Sequence, residues 1–195
     1  MATTLEVELL KLQLSISPAE RKSLETYVGE LERWNHTVNL TALKGAELVR
    51  RLVAEPAWIG AQLQMSGNLI DVGSGNGCPG IPLFVTRRLN RVDLIEARVR
   101  RAAFLRHIGN QLSPGIVVHR VRLEDLQEAP TGIEWITLQA VDPSERLMET
   151  LQHLFAPTTS VVWITSKEKP KRRDATLISV PDSNTVAWVF RLDQF

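Results

Sequence analysis

From Asn68 onward, short apolar runs alternate with helical patterns, and no other feature of the chain restricts its architecture as much. The apolar runs cover 69–72, 92–95, 116–119, 135–138 and 161–164. Between them, 81–89, 99–112 and 144–155 carry apolar residues at three- and four-residue steps. Strands joined through helices lie parallel, so this order predicts βαβ units and a doubly wound, mostly parallel α/β sheet. The last two runs, 176–180 and 186–192, have no helical pattern between them. They predict an antiparallel hairpin at the sheet edge.

The first 60 residues read as helical. Ser17-Pro18-Ala19-Glu20 is a capping box with proline at the first helical position. Behind it Leu24, Tyr27, Val28, Leu31 and Trp34 form one apolar stripe. A second helix over 46–64 is expected to be interrupted or re-aimed at Pro56, which has no N–H to donate. The predicted division is a helical cap, residues 1–64, packed as one unit with the α/β domain, residues 65–195. An apolar fraction of 44% in 195 residues is enough for one sizeable core without disulfides.

The first strand runs into IDVGSGNGCPG, residues 70–80, which contains both G-x-G-x-G from Gly73 and G-x-G-x-x-G from Gly75. The second is the dinucleotide fingerprint and would imply a nicotinamide-dependent oxidoreductase. Three details favour the first. Asp71 stands at the strand end, where a carboxylate attracts an ammonium group and repels a pyrophosphate. Gly73 follows the strand immediately, so the tight turn starts there. Pro79 and Pro82 suit a loop and a first helical turn, and they remove N–H donors that a pyrophosphate would use. The second strand ends at Glu96, placed to accept hydrogen bonds from ribose hydroxyls. After the third strand, Leu123-Glu124 is expected to border an adenine ring. Acidic strand ends around a glycine loop suit S-adenosylmethionine, which has a sulfonium, an ammonium and a ribose but no phosphate.

The stretches LERWNHTVNLTAL (31–43), IDVGSGNGCPGIPL (70–83), DLIEARVRRAAFLRHI (93–108) and HRVRLEDL (119–126) resemble those of one family. It comprises the bacterial guanine-N7 methyltransferases of small-subunit (16S) ribosomal RNA, also known as glucose-inhibited division protein B. The resemblance implies a class I, Rossmann-like S-adenosylmethionine-dependent fold. It places the cofactor at Asp71, Gly73, Ser74, Gly75, Gly77, Cys78, Glu96, Leu123, Glu124 and Gln139. It implies an RNA partner, 16S ribosomal RNA or the small subunit, with Asn39, Gln139 and Lys167 as substrate contacts. Guanine N7 has an in-plane lone pair and no proton, so positioning suffices and no catalytic acid or base is expected.

Four segments depart from the family pattern. Its S-R-A at the fourth strand reads Leu138-Gln139-Ala140, and its R-H-x-x-D-S reads Arg50-Arg51-Leu52-Val53-Ala54-Glu55. Cys78 stands where a bulky apolar residue is usual, and A-L-K-G becomes Thr165-Ser166-Lys167-Glu168. The alternatives are therefore a non-catalytic S-adenosylmethionine- or RNA-binding paralogue, or a methyltransferase with another substrate.

Cys78 is the single cysteine, so no internal disulfide forms and a reducing cytoplasm is expected. Its thiol is expected to be a small apolar filler, or a reactive group if exposed. The start MATTLEVELL has no signal-peptide pattern, and no apolar stretch approaches the roughly 18–20 residues of a membrane span. His36, His107, His119 and His153 lack metal-ligand spacing and are expected at the surface, with no metal bound. Trp34, Trp58, Trp135, Trp163 and Trp188 are expected mostly in the core, Trp34 as a helix-packing residue, and the chain is expected to be monomeric. With a net charge of +1, RNA contact must come from local patches. Candidates are Arg98, Arg100, Arg101 and Arg106, and the run Lys167, Lys169, Lys171, Arg172 and Arg173.

Overall fold

The structure, a computed structural model, describes residues 2–166 and 175–194. Lys167 and the basic run that follows it lie outside the described residues. The chain begins with α1 (Thr4–Lys11) and α2 (Pro18–Val38), each opened by a reciprocal capping box. In α2 the Ser17 hydroxyl accepts the Glu20 N–H while the Glu20 carboxylate accepts the Ser17 N–H, as predicted. Thr3 and Glu6 do the same for α1, a T-x-x-E signal present in the sequence.

The predicted second helix is three pieces in one continuous run: α3 (Gly45–Val49), a π-helical turn over Arg50–Ala54, and α4 (Glu55–Gln62). The irregularity precedes Pro56, which sits in the first turn of α4. A proline inside a regular helix would clash with the carbonyl four residues earlier, and a widened turn at that place relieves the conflict.

The strands are β1 (Ser66–Val72), β2 (Arg88–Ile95), β3 (Ile116–His119), β4 (Ile133–Gln139), β5 (Ser160–Ser166), β6 (Thr176–Ser179) and β7 (Thr185–Arg191). They form one sheet in the order β3-β2-β1-β4-β5-β7-β6, in which β7 alone runs opposite to the other six strands. The helices α5 (Gly80–Thr86), α6 (Val99–Leu112) and α7 (Glu145–Leu154) supply the crossovers. One boundary departs from expectation: Arg88 and Leu89 belong to β2, not to the preceding helix. Arg87 turns extended, and Arg88 and Leu89 then pair with Ser66 and Gly67. A buried leucine fits either periodicity, so only pairing decides.

A single buried cluster joins the cap (Leu5, Leu24, Tyr27, Leu31) to Leu83 of α5, Phe104 of α6 and Leu69 and Leu94 of the sheet. Fully buried leucines of this kind stabilise the fold by roughly 1.5–3 kcal/mol each. The opposite sheet face, with Ile70, Val72, Ile136 and Leu138, packs under Met148 and Leu151 of α7. Among the described residues no helix is long and apolar enough to cross a membrane.

Candidate functional site

The sheet order reverses between β1 and β4, so the crevice beyond their carboxyl ends is where a doubly wound sheet binds ligands. The glycine run fills it. The N–H groups of Gly73 and Ser74 both bond the Ile95 carbonyl at 2.9 Å, so the turn begins at Gly73 and rests on the end of β2. This geometry favours the G-x-G-x-G reading. Gly73 has φ +74°, and a Cβ there would lie 2.8 Å from Val141 Cγ2. A side chain in the left-handed region costs about 1–2 kcal/mol before any clash is counted. Gly73→Ala is therefore expected to cost roughly 2 kcal/mol and to lower Tm by about 4–8 °C in a thermal melt. A change below about 1 °C would show that the loop moves freely away from Val141.

Beneath the loop, Asp71 is 1% exposed. Its Oδ1 accepts the Thr137 hydroxyl at 2.7 Å, while Oδ2 is buried with no hydrogen-bond partner. Burial pushes its carboxyl up to about 6, against the Thr137 bond, and the nearby Glu96 adds to the rise. A buried acceptor without a partner is costly, and a ligand ammonium group is the kind of donor that would satisfy it. Gly80 leaves room for this carboxylate, since a Cβ there would stand 2.7 Å from Leu94 Cδ2 and 3.1 Å from Asp71 Oδ2.

Two clefts flank the loop and share Val141 and Asp142. One, of about 330 Å³, is lined by Gly73, Glu96, Leu123, Glu124 and Leu147 among others. The other, of about 480 Å³, opens beyond β4 and β5 and is lined by Arg51, Gln139, Trp163, Thr165 and Ser166 among others. The first gathers the residues expected to meet ribose and adenine, with Leu123 buried and Glu124 exposed. Glu96 also has a structural duty: its two carboxylate oxygens accept the N–H groups of Gly75 (3.0 Å) and Arg98 (2.7 Å). Each oxygen keeps a second lone pair.

Other expected site residues serve the loop itself. The Ser74 hydroxyl donates to the Asp71 carbonyl at 2.8 Å and so faces inward. Cys78 is buried, and its thiol meets Gln139 Oε1 at 3.1 Å. Burial pushes the thiol well above its ordinary range, which corrects the reactive-thiol expectation. Asn39 is an exposed left-handed cap on α2 whose carbonyl accepts Arg101 Nη2 at 3.5 Å. The tryptophan-asparagine segment buttresses the loop from outside. Asn35 Oδ1 accepts the N–H groups of Leu40 and Thr41, the Leu40 carbonyl accepts Asn76 Nδ2, and Tyr27 donates to the Asn76 carbonyl.

Arg98, Arg100 and Arg106 are exposed, whereas Arg101 leans toward Gly75. All five tryptophans are half-buried, and Trp34, Trp58, Trp135 and Trp163 pack against the two core clusters without being fully enclosed. Indoles are large and carry an N–H that seeks a partner, as Trp135 does at the Ser66 carbonyl. Trp34 packs α2 against Phe104 and His107 of α6. His107 and His119 are not bare surface residues, because each meets a carboxylate, Glu30 at 2.7 Å and Asp93 at 2.6 Å. The residue that sequence reasoning missed at the cleft is Arg51. Its signal in the sequence is the doubled arginine at 50–51, the second four residues before Glu55, where the family pattern has a histidine.

Residues 20–180 match the family model for rRNA small subunit methyltransferase G. The chain belongs to that family. It is 31% identical over 149 residues to the ribosomal RNA small subunit methyltransferase G of Leptothrix cholodnii, covering 73% of this chain and 67% of the relative. The same-named protein of Xanthomonas euvesicatoria pv. vesicatoria is 34% identical over 150 residues, covering 76% of this chain and 70% of the relative. A methyltransferase from Geobacter sulfurreducens shares the fold with a TM-score of 0.59 at 14% identity, covering 85% of this chain and 87% of that one. The chain is thus a class I methyltransferase with S-adenosylmethionine as its methyl donor. The orphaned Asp71 oxygen and the side-chain-free approach at Gly73 fit that donor.

Proposed function

We propose that this chain methylates guanine N7 in small-subunit (16S) ribosomal RNA. The observation that carries the reading is the pairing of two acidic strand ends with an adjoining cleft that offers a neutral amide and a cation. Glu96 and Leu123 would hold ribose and adenine, and Asp71 would face the ammonium group. When bound, S-adenosylmethionine supplies an electrophilic sulfonium methyl. The residues around the second cleft then have one task, to orient the nucleotide. N7 carries no proton, so a cleft walled by Gln139, Thr165 and Ser166 needs no general base, and the buried Cys78 thiol need not take part. A guanidinium and an amide suit the hydrogen-bonding edge and phosphate of a nucleotide. The relatives' names supply the substrate class, and a reducing cytoplasm suits a protein with one cysteine.

The test is methyl transfer from labelled S-adenosylmethionine to small subunits lacking this modification, with the product mapped at the nucleotide. Incorporation at a guanine, with a fixed charge on the purine, is the expected result. Calorimetric binding of the cofactor without any transfer would instead favour the non-catalytic paralogue, for which the neutral Gln139 at the end of β4 is the motivating feature.

A further inference from the structure

We infer that Arg51 is the RNA-gripping residue of the substrate cleft, held in place by Glu55 and contacting a backbone phosphate beside the target guanine. The inference rests on the methyltransferase reading above and adds a residue that the reading does not require. It begins with two adjacent arginines treated very differently. Arg50 has a side chain 16% exposed, reaches Glu55 Oε1 at 3.3 Å and Glu8 Oε2 at 3.7 Å, and donates to the Pro181 carbonyl at 2.6 Å. Its guanidinium is consumed by the fold. Arg51 is 41% exposed and lines the 480 Å³ cleft with Gln139, Thr165 and Ser166. Among the described residues the one ionic partner of its side chain is Glu55, at 3.5 Å through Nε.

Glu55 does not need Arg51 for neutralisation. It is 1% exposed, faces Arg50, and accepts the hydroxyls of Ser183 at 2.6 Å and Thr185 at 2.5 Å. Glu8, the other carboxylate nearby, is paired with Lys11 at 2.7 Å. The charge on Arg51 is therefore surplus to the fold while its Nε end is anchored. A planar fork fixed at one edge and open at the other is the arrangement that captures a phosphate with little loss of side-chain entropy. Asp142 is the carboxylate on the cleft wall, shared with the ribose side, so an RNA phosphate is favoured near Arg51 and disfavoured there.

Cys78 marks the geometry. Its buried sulfur lies 3.1 Å from Gln139 Oε1 and 4.0 Å from the Arg51 backbone carbonyl, and the side chains of both residues line the same cleft. A cation moved from position 51 to position 139 would serve the same space at unchanged net charge. A structural arginine would not be rescued in that way.

The experiment compares wild type, R51K, R51Q and the double variant R51Q/Q139R. It measures kcat and KM on unmodified small subunits, and the salt dependence of binding to them. R51Q is expected to raise KM about 10- to 100-fold with a small change in kcat, as for a contact made in both ground and transition state. The slope of log affinity against log salt should fall by about 0.7–0.9, one phosphate contact. R51K should fall between wild type and R51Q, and R51Q/Q139R should recover at least about tenfold of the loss. Calorimetric S-adenosylmethionine affinity and thermal unfolding of R51K and R51Q should stay near wild type, which separates lost contact from lost fold. Unchanged KM and salt slope in R51Q, or a double variant no better than R51Q, would overturn the proposal. Failure of wild type to bind or methylate small subunits would overturn the methyltransferase reading and this inference with it, and it would be seen in wild type alone.

Discussion

Asp71→Asn should make the ligand-free protein more stable at pH 7.5 while weakening its hold on S-adenosylmethionine. The unfolded chain releases the Asp71 proton near its ordinary 3.8, whereas burial lets the folded protein keep it up to about 6. Between those values the native state binds more protons than the unfolded state, so stability falls as pH rises through the window. Above it the full penalty for a buried charge is present, roughly 3 kcal/mol. Asparagine removes the charge and keeps an oxygen for the Thr137 hydroxyl, so a gain of about 1–2 kcal/mol, or roughly 2–8 °C in Tm, is expected at pH 7.5. The gain should vanish near pH 4. Binding moves the other way, since an amide is a poorer partner for an ammonium group, and calorimetry should show affinity at least about tenfold weaker. Equal losses of stability and affinity at every pH would mean that the Asp71 charge supports the fold and that its burial is not a strain held for the ligand.

Glu55→Ala should be among the most destabilising single substitutions in the chain. The carboxylate is buried where α4 meets the β6–β7 turn, and it holds Arg50, Ser183 and Thr185 at once. Removing one partner of a buried ion pair leaves an uncompensated charge, at a cost of about 3–5 kcal/mol. For a chain of this length the expected fall in Tm is roughly 6–20 °C. Glu55→Gln, which still accepts from a hydroxyl, should lose less. Hydrogen exchange should quicken first around Val180 and Thr185, whose mutual backbone bond closes that turn. A Glu55→Ala protein melting within about 2 °C of wild type would show that the network adds little. It would also remove the anchor assigned to Arg51.

Local signals carried the architecture. Continuous apolar runs identified the five parallel strands, and Ser17-Pro18 with Glu20 placed the start of α2 at its observed residue. The turn at Gly73 was legible because a glycine at the strand end lets the backbone enter the left-handed region that other residues enter only with strain. An expectation failed where two patterns agree with one residue, as at Leu89, while Trp34, Trp58, Trp135 and Trp163 pack against the core with part of each large indole left outside it. The motif at Trp34-Asn35 was legible as a signature but not as a device. Its contact with Asn76, through the Leu40 carbonyl, joins residues 36 positions apart, and Tyr27 before it reaches the same asparagine.

What the residues determine by themselves is therefore the sheet, the glycine turn and the acidic strand ends, because backbone preference and periodicity act over a few neighbours. Only the tertiary structure decides which of two consecutive arginines belongs to the fold and which to the cleft. Arg50 is captured by Pro181, 131 residues away, and by a glutamate that two hydroxyls of the far hairpin already engage. Arg51, one position on in a π-helical turn, is left at the cleft wall. Charge and spacing are identical in the two side chains, and the difference arises from which distant groups desolvate each one.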